Sequence, residues 1–325
     1  MISLLKPLLL ALLLAALPAQ AQKIRVGYWT SGFSLGFGAV MEQMKFAEKE
    51  GLDVEWVKFA EVNGPTRAIA SQSIDLAFGA PSTASMSIAA DGVPVRIVLA
   101  SQIAEAQIVV PAGSPIKSVA DLKGRKIGMS PPGSATHAIA SAILQNIYGL
   151  KPGDYNVVPG NEGRLAQFLI QKEVDAAVIR SVTIGQMSDD IKLANLGSIV
   201  EDWKKLTKSG AAPILAVSIV HSDYVAKNPE AVAKFIAAMR KTDEFGSKNR
   251  DRVAEILQKA ANMNPVDAKA YAAQWDGAYM VSFEAAEVNS LKRMQEIVRA
   301  AGAAKADPPD SAFLTSPFQR SKAIK

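Results

Sequence analysis

The chain has 325 residues, with 36 lysines and arginines against 31 aspartates and glutamates, two histidines and no cysteine. The lack of cysteine excludes a disulfide scaffold, and two histidines far apart in sequence argue against a dedicated zinc or copper site. The net charge of +5 comes without a basic run interleaved with aromatic residues, so the sequence gives no support for nucleic-acid binding.

The first 21 residues, MISLLKPLLLALLLAALPAQA, have the pattern of a secretory signal peptide. Lys6 precedes an apolar stretch over residues 8–17, and AQA forms a small-residue cleavage site. The apolar stretch is far shorter than the roughly 20 residues that a membrane span needs. We expect a mature chain from about Gln22, exported from the cytoplasm and without a cysteine to carry a lipid anchor. Because Lys6 is removed, 35 basic and 31 acidic residues remain, a net charge of +4.

Short apolar runs rich in valine and isoleucine alternate with helical segments over the first two thirds of the chain. The runs of strand length are KIRVGYW, LDVEWVKF, IDLAFG, VRIVLAS, AQIVVPA, RKIGMS, YNVVPG, VDAAVI and ILAVSIV. Helical segments that end at a glycine include residues 36–50 and 135–148. This alternation predicts an α/β protein whose mostly parallel sheets are flanked by helices.

From Asn228 onward the pattern becomes almost purely helical. Helices are predicted to begin at Pro229, Asp251 and Pro265, and a fourth is predicted over residues 283–301. The strand-helix part falls into two stretches that meet at about residue 106. A chain of this length more often forms two domains than one large sheet.

In open α/β sheets, ligands bind where a strand ends and the chain turns into the next helix. Four such turns carry hydroxyl groups, glycines or an arginine. The candidate ligand-binding residues in and beside them are Trp29, Thr30, Ser31, Phe33, Gly79, Ser82, Thr83, Gly133, Ser134, Thr136, His137 and Arg180. Trp29 and Phe33 are equally typical of a hydrophobic core.

Two of these turns favour an anion. Ser134 is a good cap for the helix that follows, whose first backbone N–H groups and dipole would face the turn. Arg180 could present a planar pair of donors to a carboxylate or sulfonate.

Each candidate also has an ordinary structural alternative. Serines and threonines such as Ser82 and Thr83 are common helix caps, whatever the function of the protein. His137 could be a solvated or capping histidine. Arg180 could instead form a surface ion pair with Asp189 or Asp190.

Several segments resemble a known family. They are GSPIKSVADLKGRKIGMSPPGSATHAI, RLAQFLIQKEVDAAVI, HSDYVAKNPEAVAKFIAAMRK and IDLAFGAPSTA. Together they are similar to the periplasmic substrate-binding proteins of ABC importers in the nitrate/sulfonate/taurine group, over nearly the whole mature chain. The resemblance implies a two-lobed type II periplasmic-binding fold, a ligand held between closing lobes, and a membrane permease as partner.

The resemblance also implies the lobe boundaries. Lobe 1 would comprise residues 22–106 and 213–325, lobe 2 would comprise residues 107–212, and hinge crossovers would lie near 102–108 and 211–219. By position, the ligand-contacting segments of the family correspond to Thr30–Phe33, Gly79–Thr83 and Ser134–His137. Where many relatives carry proline or an aromatic residue, this chain has Arg180-Ser181, which favours an anionic ligand.

We therefore predict a periplasmic solute-binding protein that is not an enzyme, uses no cofactor and is a monomer. Its ligand would be a small anionic organic solute such as a sulfonate, a taurine-like molecule or a carboxylate; a pyrimidine precursor of thiamine is the alternative. Ser134, Thr136 and Thr83 would hold the anion. Arg180 or His137 would add charge, and Trp29 and Phe33 would pack the apolar part. Arg164, early in a helix, is a further candidate for the cleft.

An enzyme remains the competing class, because residues 32–36 spell the G-x-S-x-G motif of serine hydrolases. His221 with Asp175 or Asp190 would complete a triad with Ser34. The motif follows the first strand of the mature chain, however, with no earlier loop to supply the second oxyanion donor. We interpret it as a chance match and expect Ser34→Ala to leave binding nearly intact.

A third class is a precursor-processing enzyme on the same scaffold, since a fold does not fix a function. It would need an acid-base pair in the cleft, for which the sequence offers His137 and Glu162.

Overall fold

The computed structural model describes residues 22–187, 191–208 and 210–324. The predicted signal peptide, residues 1–21, lies outside the described residues, and so do Asp189 and Asp190. Within the three described ranges, no helix is both long enough and apolar enough to cross a lipid bilayer.

Eleven strands lie in the described part of the chain. They are β1 (Gln22–Trp29), β2 (Leu52–Phe59), β3 (Leu76–Pro81), β4 (Val95–Ile103), β5 (Gln107–Pro111), β6 (Lys126–Met129), β7 (Asn156–Pro159), β8 (Ala176–Ile179), β9 (Leu193–Ser198), β10 (Ile214–His221) and β11 (Tyr279–Ser282). All nine predicted strands are confirmed. The sequence analysis misses β9, which has no β-branched residue, and β11, which has only four residues.

The strands form two sheets. The first has the order β11-β4-β10-β3-β1-β2, and the second has the order β7-β6-β8-β5-β9. In the first, β1 runs parallel to β2 and β3, with Val26 opposite both Trp56 and Leu76. In the second, β6 runs parallel to β7 and β8. The α/β class with two sheets is thereby confirmed.

Both sheets are mixed rather than wholly parallel. β10 runs antiparallel to β3 and β4, and β5 runs antiparallel to β8 and β9. The chain leaves the first sheet at the end of β4, enters the second as β5, and returns to the first as β10. A strand that arrives from the other sheet enters at the cleft end rather than after a crossover helix, so it runs in the opposite direction.

The helices cover both sheets and fill the last third of the chain. They are α1 (Gly32–Met44), α2 (Phe46–Lys49), α3 (Gly64–Ala70), α4 (Ser82–Ala90), α5 (Ala135–Tyr148), α6 (Glu162–Ile170), α7 (Ser181–Gln186), α8 (Ile199–Thr207), α9 (Ser222–Lys227), α10 (Pro229–Lys248), α11 (Arg250–Ala260), α12 (Pro265–Ala273), α13 (Trp275–Ala278), α14 (Ala285–Ala300) and α15 (Ser316–Ser321). Residues 119–122 and 310–312 form 3₁₀ turns. The single helix predicted over 36–50 is two helices, because Lys45 adopts a left-handed conformation with φ of 53°.

An aromatic cluster joins the late helices to the first sheet. Phe37 of α1 stacks on Trp275 with a centroid distance of 5.7 Å and lies 5.0 Å from Tyr279. On its other side Phe37 meets Phe78 of β3, which stacks on Tyr28 of β1. The sequence-distant α13 and β11 are thus built into the core around β1, β3 and α1.

We expect Trp275→Ala to lower the free energy of unfolding by about 3–5 kcal/mol, because Trp275 is fully buried and its removal leaves a large cavity. Urea unfolding followed by circular dichroism measures this loss. Val266→Ala is the matched control: Val266 is 76% exposed, so its truncation should change the free energy by no more than about 0.5 kcal/mol. Equal losses in the two variants would contradict the packing described here.

Candidate ligand-binding cleft

A cavity of about 430 Å³ lies between the two sheets. Strand ends from both sheets line it, because the parallel strands of each sheet point their carboxyl ends towards the gap. The first sheet contributes Trp29, Gly79 and Gln102, and the second contributes the segments that follow β6, β7 and β8. The crossover strand β10 adds Leu215 and Ala216.

Six of the twelve candidate residues line this cleft. They are Trp29, Ser31, Gly79, Ser134, Thr136 and Arg180. They come from both sheets and from turns up to 151 residues apart, between Trp29 and Arg180. The fold therefore brings turns that are distant in the sequence to one cleft, at the strand ends where the sequence analysis placed the candidates.

The other six do not line the cleft. Thr30 donates a hydrogen bond to the carbonyl oxygen of Phe59 at 3.0 Å and borders a separate surface groove. Phe33 is 2% exposed and belongs to the core, with its ring against Tyr271 and Tyr279.

Ser82 and Thr83 lie inside the first turn of α4 rather than at its cap, which is Pro81. The hydroxyl of Ser82 is fully buried and donates to the carbonyl oxygen of Ile214 at 2.7 Å, so it ties α4 to β10. Thr83 is also buried, and its hydroxyl has no hydrogen-bond partner among the described residues.

Gly133 and His137 flank the cleft without lining it. Gly133 has a φ of +86°, and a Cβ there would lie 3.5 Å from the Asn63 amide nitrogen, so the two lobes meet closely at this point. His137 is half-buried at the start of α5, and no described residue bonds its buried Nδ1.

The sequence analysis did not include two further turns or one strand residue. The turn after β2 places Asn63 and Arg67 in the cleft, and the turn after β7 adds Asn161. Both turns follow strand ends as the other four do, so the same rule could have found them. Gln102 lies inside β4, where the sequence gives no signal that its side chain faces a ligand. Arg164 of α6 also lines the cleft.

The amino-terminal end of α5 presents backbone donors to the cleft. Ser134 caps the helix, and its hydroxyl accepts the N–H of His137 at 3.2 Å, as predicted. The N–H groups of Ala135 and Thr136 have no acceptor among the described residues, and both residues line the cleft. Together with the helix dipole they favour negative charge at this end.

Arg180 bridges the two lobes. It is 6% exposed, and its guanidinium lies 5.0 Å from the ring centre of Phe33 and close to Gly32, where a Cβ would come within 2.6 Å of Nη1. Its nearest carboxylate is Glu162, with an Nε to Oε1 distance of 3.6 Å. This is an ion pair too long for a hydrogen bond. The predicted alternative partners, Asp189 and Asp190, lie outside the described residues.

Glu162 holds the start of α7 in place. Its Oε2 accepts the backbone N–H of Arg180 at 3.2 Å and the hydroxyl of Thr183 at 2.7 Å. Glu105, in the first crossover, likewise accepts the N–H of Ser181 at 3.1 Å and its hydroxyl. Two carboxylates thus fix the turn that carries Arg180.

Two buried tyrosines beneath Phe33 form hydrogen bonds with the backbone at the start of α1. The hydroxyls of Tyr271 and Tyr279 lie 2.7 Å apart, and the backbone carbonyl oxygens of Gly32 and Phe33 lie within hydrogen-bond distance of them. Their two protons can serve two of these three contacts at a time. Burial raises the pKa of both hydroxyls, so both are neutral donors. The loop that faces Arg180 is therefore held rigidly.

The geometry does not form the predicted hydrolase triad. The hydroxyl of Ser34 meets Gln102 and the carbonyl oxygen of Gly79. His221 caps α9 at the far end of β10. Along the paired strands, Gln102 lies opposite Ala216 whereas Val95 lies opposite His221. Ala216 and His221 are five residues apart on β10, which corresponds to about 16 Å along the strand.

The other enzyme pair is not assembled either. Glu162 lines the cleft and accepts a hydrogen bond from Thr183 of α7, whereas His137 does not line the cleft. Asp175, from the proposed triad, accepts the backbone N–H of Lys126 at the opposite end of β8 from Arg180.

Comparison with known proteins decides the family. Residues 40–252, more than half of the chain, match the family described as NMT1/THI5 like. The chain belongs to this family. The predicted family is thereby confirmed.

Two relatives and one solved structure show what this NMT1/THI5-like protein is similar to. The taurine-binding periplasmic protein of Escherichia coli is 29% identical over 230 residues, which cover 70% of this chain and 68% of the relative. A 4-amino-5-hydroxymethyl-2-methylpyrimidine phosphate synthase of Saccharomyces cerevisiae is 28% identical over 209 residues, which cover 62% and 59%. The structure of the alkanesulfonate-binding protein SsuA from Xanthomonas axonopodis pv. citri bound to MOPS has a TM-score of 0.74 at 19% identity, covering 93% of this chain and all of that one. This last likeness confirms the two-lobed periplasmic-binding fold.

The burial of His137 predicts a pH dependence of stability. Desolvation lowers its pKa below the ordinary value of about 6.5, and a hydrogen bond with the Ser130 backbone only partly offsets this. As the pH falls through that value, the unfolded chain takes up the proton first, so the free energy of unfolding falls.

We expect wild type to lose more stability than His137→Gln between about pH 8 and about pH 5.5, measured by urea unfolding at each pH. The difference between the two proteins removes the contribution of all other titrating groups. An identical pH dependence in both would show that His137 is solvated.

Proposed function

We propose that this protein captures a small anionic organic solute, a sulfonate or carboxylate, in the cleft between its lobes and delivers it to an ABC importer. The lobe boundaries in this proposal are residues 22–106, 107–212 and 213–325. The observation that carries the proposal is the guanidinium of Arg180, buried in the wall of the cleft. Among the described residues it has a 3.6 Å ion pair and no side-chain hydrogen bond.

A buried guanidinium has five N–H donors, and leaving them without acceptors costs free energy. Phe33 covers one face of the group, and the contact with Glu162 is too long to satisfy a donor. Two oxygens of a carboxylate or sulfonate on the ligand can accept two of these donors at once. Arg180 therefore supports an anionic ligand more strongly than its charge alone would.

The other charged side chains of the cleft also favour an anionic ligand. Glu61 is paired with Arg67 at 2.5 Å, and Glu162 is the neighbour of Arg180. Arg164 lies over the ring of Phe168 and has no carboxylate partner within the described ranges. The two glutamates are thus matched by two arginines, while Arg164 and the amino-terminal end of α5 add uncompensated positive charge.

The cleft also accommodates an apolar part of a ligand. Trp29 lines it from the first sheet, and Val62, Pro131, Pro159 and Leu215 surround the polar groups. Side chains of this kind stabilise a short hydrocarbon chain by removing it from water.

Relatives with a known role support the transport part of the proposal. By name, one relative is a taurine-binding periplasmic protein and a structural neighbour is an alkanesulfonate-binding protein. We infer a periplasmic location after removal of residues 1–21, a monomer in solution, and a membrane permease as partner. Ligand bound between the lobes would favour the closed form, which the permease would recognise by its higher affinity for that form.

A pyrimidine precursor of thiamine is the second candidate. The match to the NMT1/THI5-like family and the pyrimidine phosphate synthase among the relatives favour it. In this case Trp29 would stack on the ring, and a phosphate rather than a sulfonate would occupy the anion site.

The test is a thermal-shift screen of the mature protein, followed by calorimetry on the hits. The ligands are alkanesulfonates, carboxylates, nitrate, and 4-amino-5-hydroxymethyl-2-methylpyrimidine with and without its phosphate. A ligand at 100 times its dissociation constant adds about 2.7 kcal/mol to the free energy of unfolding, which shifts the midpoint by several degrees. Hits among sulfonates or carboxylates support the proposal, hits confined to pyrimidines support the second candidate, and a flat screen contradicts both.

We expect Arg180→Gln to weaken binding of the best anionic hit by about 2–5 kcal/mol, since it removes the buried charge that faces the anion. Arg252→Gln is the matched control: it changes the net charge equally, but Arg252 forms an exposed ion pair with Glu255 on α11. A loss within about 0.5 kcal/mol for Arg180→Gln, measured by titration calorimetry, would remove Arg180 from the anion site.

A further inference from the structure

Ser34, the central residue of the G-x-S-x-G motif, lies in a chain of hydrogen bonds at the first-sheet wall of the cleft. It is 1% exposed. Its hydroxyl oxygen is 3.1 Å from the side-chain nitrogen of Gln102 and 3.5 Å from the carbonyl oxygen of Gly79. Gly79 has a φ of +64°, and a Cβ there would collide with the Ser34 hydroxyl, so glycine makes this contact possible.

The direction of this chain is fixed by the chemistry of its members. A backbone carbonyl can only accept a hydrogen bond, so the single proton of the Ser34 hydroxyl is donated to Gly79. Ser34 must then accept from Gln102, which turns the NH₂ of the amide towards Ser34. The amide oxygen of Gln102, Oε1, consequently points the other way.

That oxygen has no hydrogen-bond donor among the described residues, although Gln102 is only 4% exposed and lines the cleft. Across the sheet, Gln102 lies opposite Ala216 of β10 on one side and Tyr279 of β11 on the other. The hydroxyl of Tyr279 contacts Tyr271 and the carbonyl oxygen of Phe33, not Gln102. An acceptor that faces the cleft without a donor from the protein discriminates in favour of a ligand that donates to it.

We propose that the ligand of this cleft carries a neutral or charged hydrogen-bond donor, such as a hydroxyl or an amine, besides its anionic group, and that Gln102 Oε1 accepts it. Ser34 is the positioning residue that orients Gln102. This inference rests on the proposed function and deepens it, because it separates donor-bearing sulfonates or carboxylates from simple alkyl ones. It also gives Ser34 a role that the sequence analysis denied it.

The test compares three series of ligands by titration calorimetry on the mature wild-type protein. The series are unsubstituted alkanesulfonates of two, three and four carbons, the same chains with a terminal hydroxyl, and the same chains with a terminal methoxy group. A hydroxyl donates and accepts, whereas a methoxy group only accepts, and all three series carry the same charge.

We expect at least one hydroxyl compound to bind about 10-fold or more tightly than both its unsubstituted and its methoxy counterparts. Equal affinities across the three series would overturn the inference, and so would an equal gain for methoxy, which would mean that the amide N–H faces the cleft. If the carboxylates of the earlier screen and all three series fail to bind, the proposed function itself is wrong.

Variants then test the two residues through the ratio of hydroxyl to unsubstituted affinity. We expect Gln102→Leu, which keeps the size but removes the amide, to bring this ratio to about 1. Ser34→Ala should lower the ratio because Gln102 is no longer held. Ser218→Ala, which removes a fully buried hydroxyl that contacts Met239 away from the cleft, should keep the wild-type ratio. A wild-type ratio in Gln102→Leu would contradict the assignment.

Discussion

The burial of one guanidinium organises the whole cleft. Arg180 stands at the end of β8 in the second lobe, yet its charged group lies against Phe33 of the first lobe and is almost removed from water. A charge in that position costs free energy unless it is paired. The carboxylates of Glu162 and Glu105 fix the turn that carries it, while the tyrosines behind Phe33 fix the loop that receives it. The turn that carries Arg180 and the loop that receives it are therefore both held in place by hydrogen bonds.

Most of the polar groups of the cleft lie in the turns that follow strands. This follows from the topology, since both sheets direct their parallel strands towards the gap and each strand turns into a helix there. The two lobes then offer different chemistry. The second lobe supplies Arg180 and the amino-terminal end of α5, whereas the first supplies Trp29, apolar surface and the amide of Gln102. In the proposed function, a ligand that spans the gap would contact both lobes and would thereby stabilise a closed form.

The neighbours of the serine in a G-x-S-x-G motif decide what that serine can do. In a hydrolase the serine needs an imidazole within hydrogen-bond reach. Here Ser34 instead contacts an amide and a carbonyl, and His221 lies at the other end of β10. The three glycines around it serve packing: a Cβ at Gly36 would strike Tyr271, and a Cβ at Gly38 would strike Tyr28. The motif is a consequence of close packing between α1 and its neighbours.

The sequence by itself determined nine strands, the α5 cap at Ser134 and the strand ends at which the cleft forms, because these depend on local periodicity and turn chemistry. The family was recognised by the resemblance of whole segments to known proteins. It could not determine which side of a turn faces the cleft: Thr30, Phe33 and Ser82 stand within a few residues of lining positions but point into a groove or the core. For the same reason, the sequence could not show that the side chain of Gln102 faces the cleft. Only the pairing of β4 with β10, two segments 115 residues apart at Ser101 and Ala216, puts its amide beside Ser34, and such contacts are decided by tertiary packing.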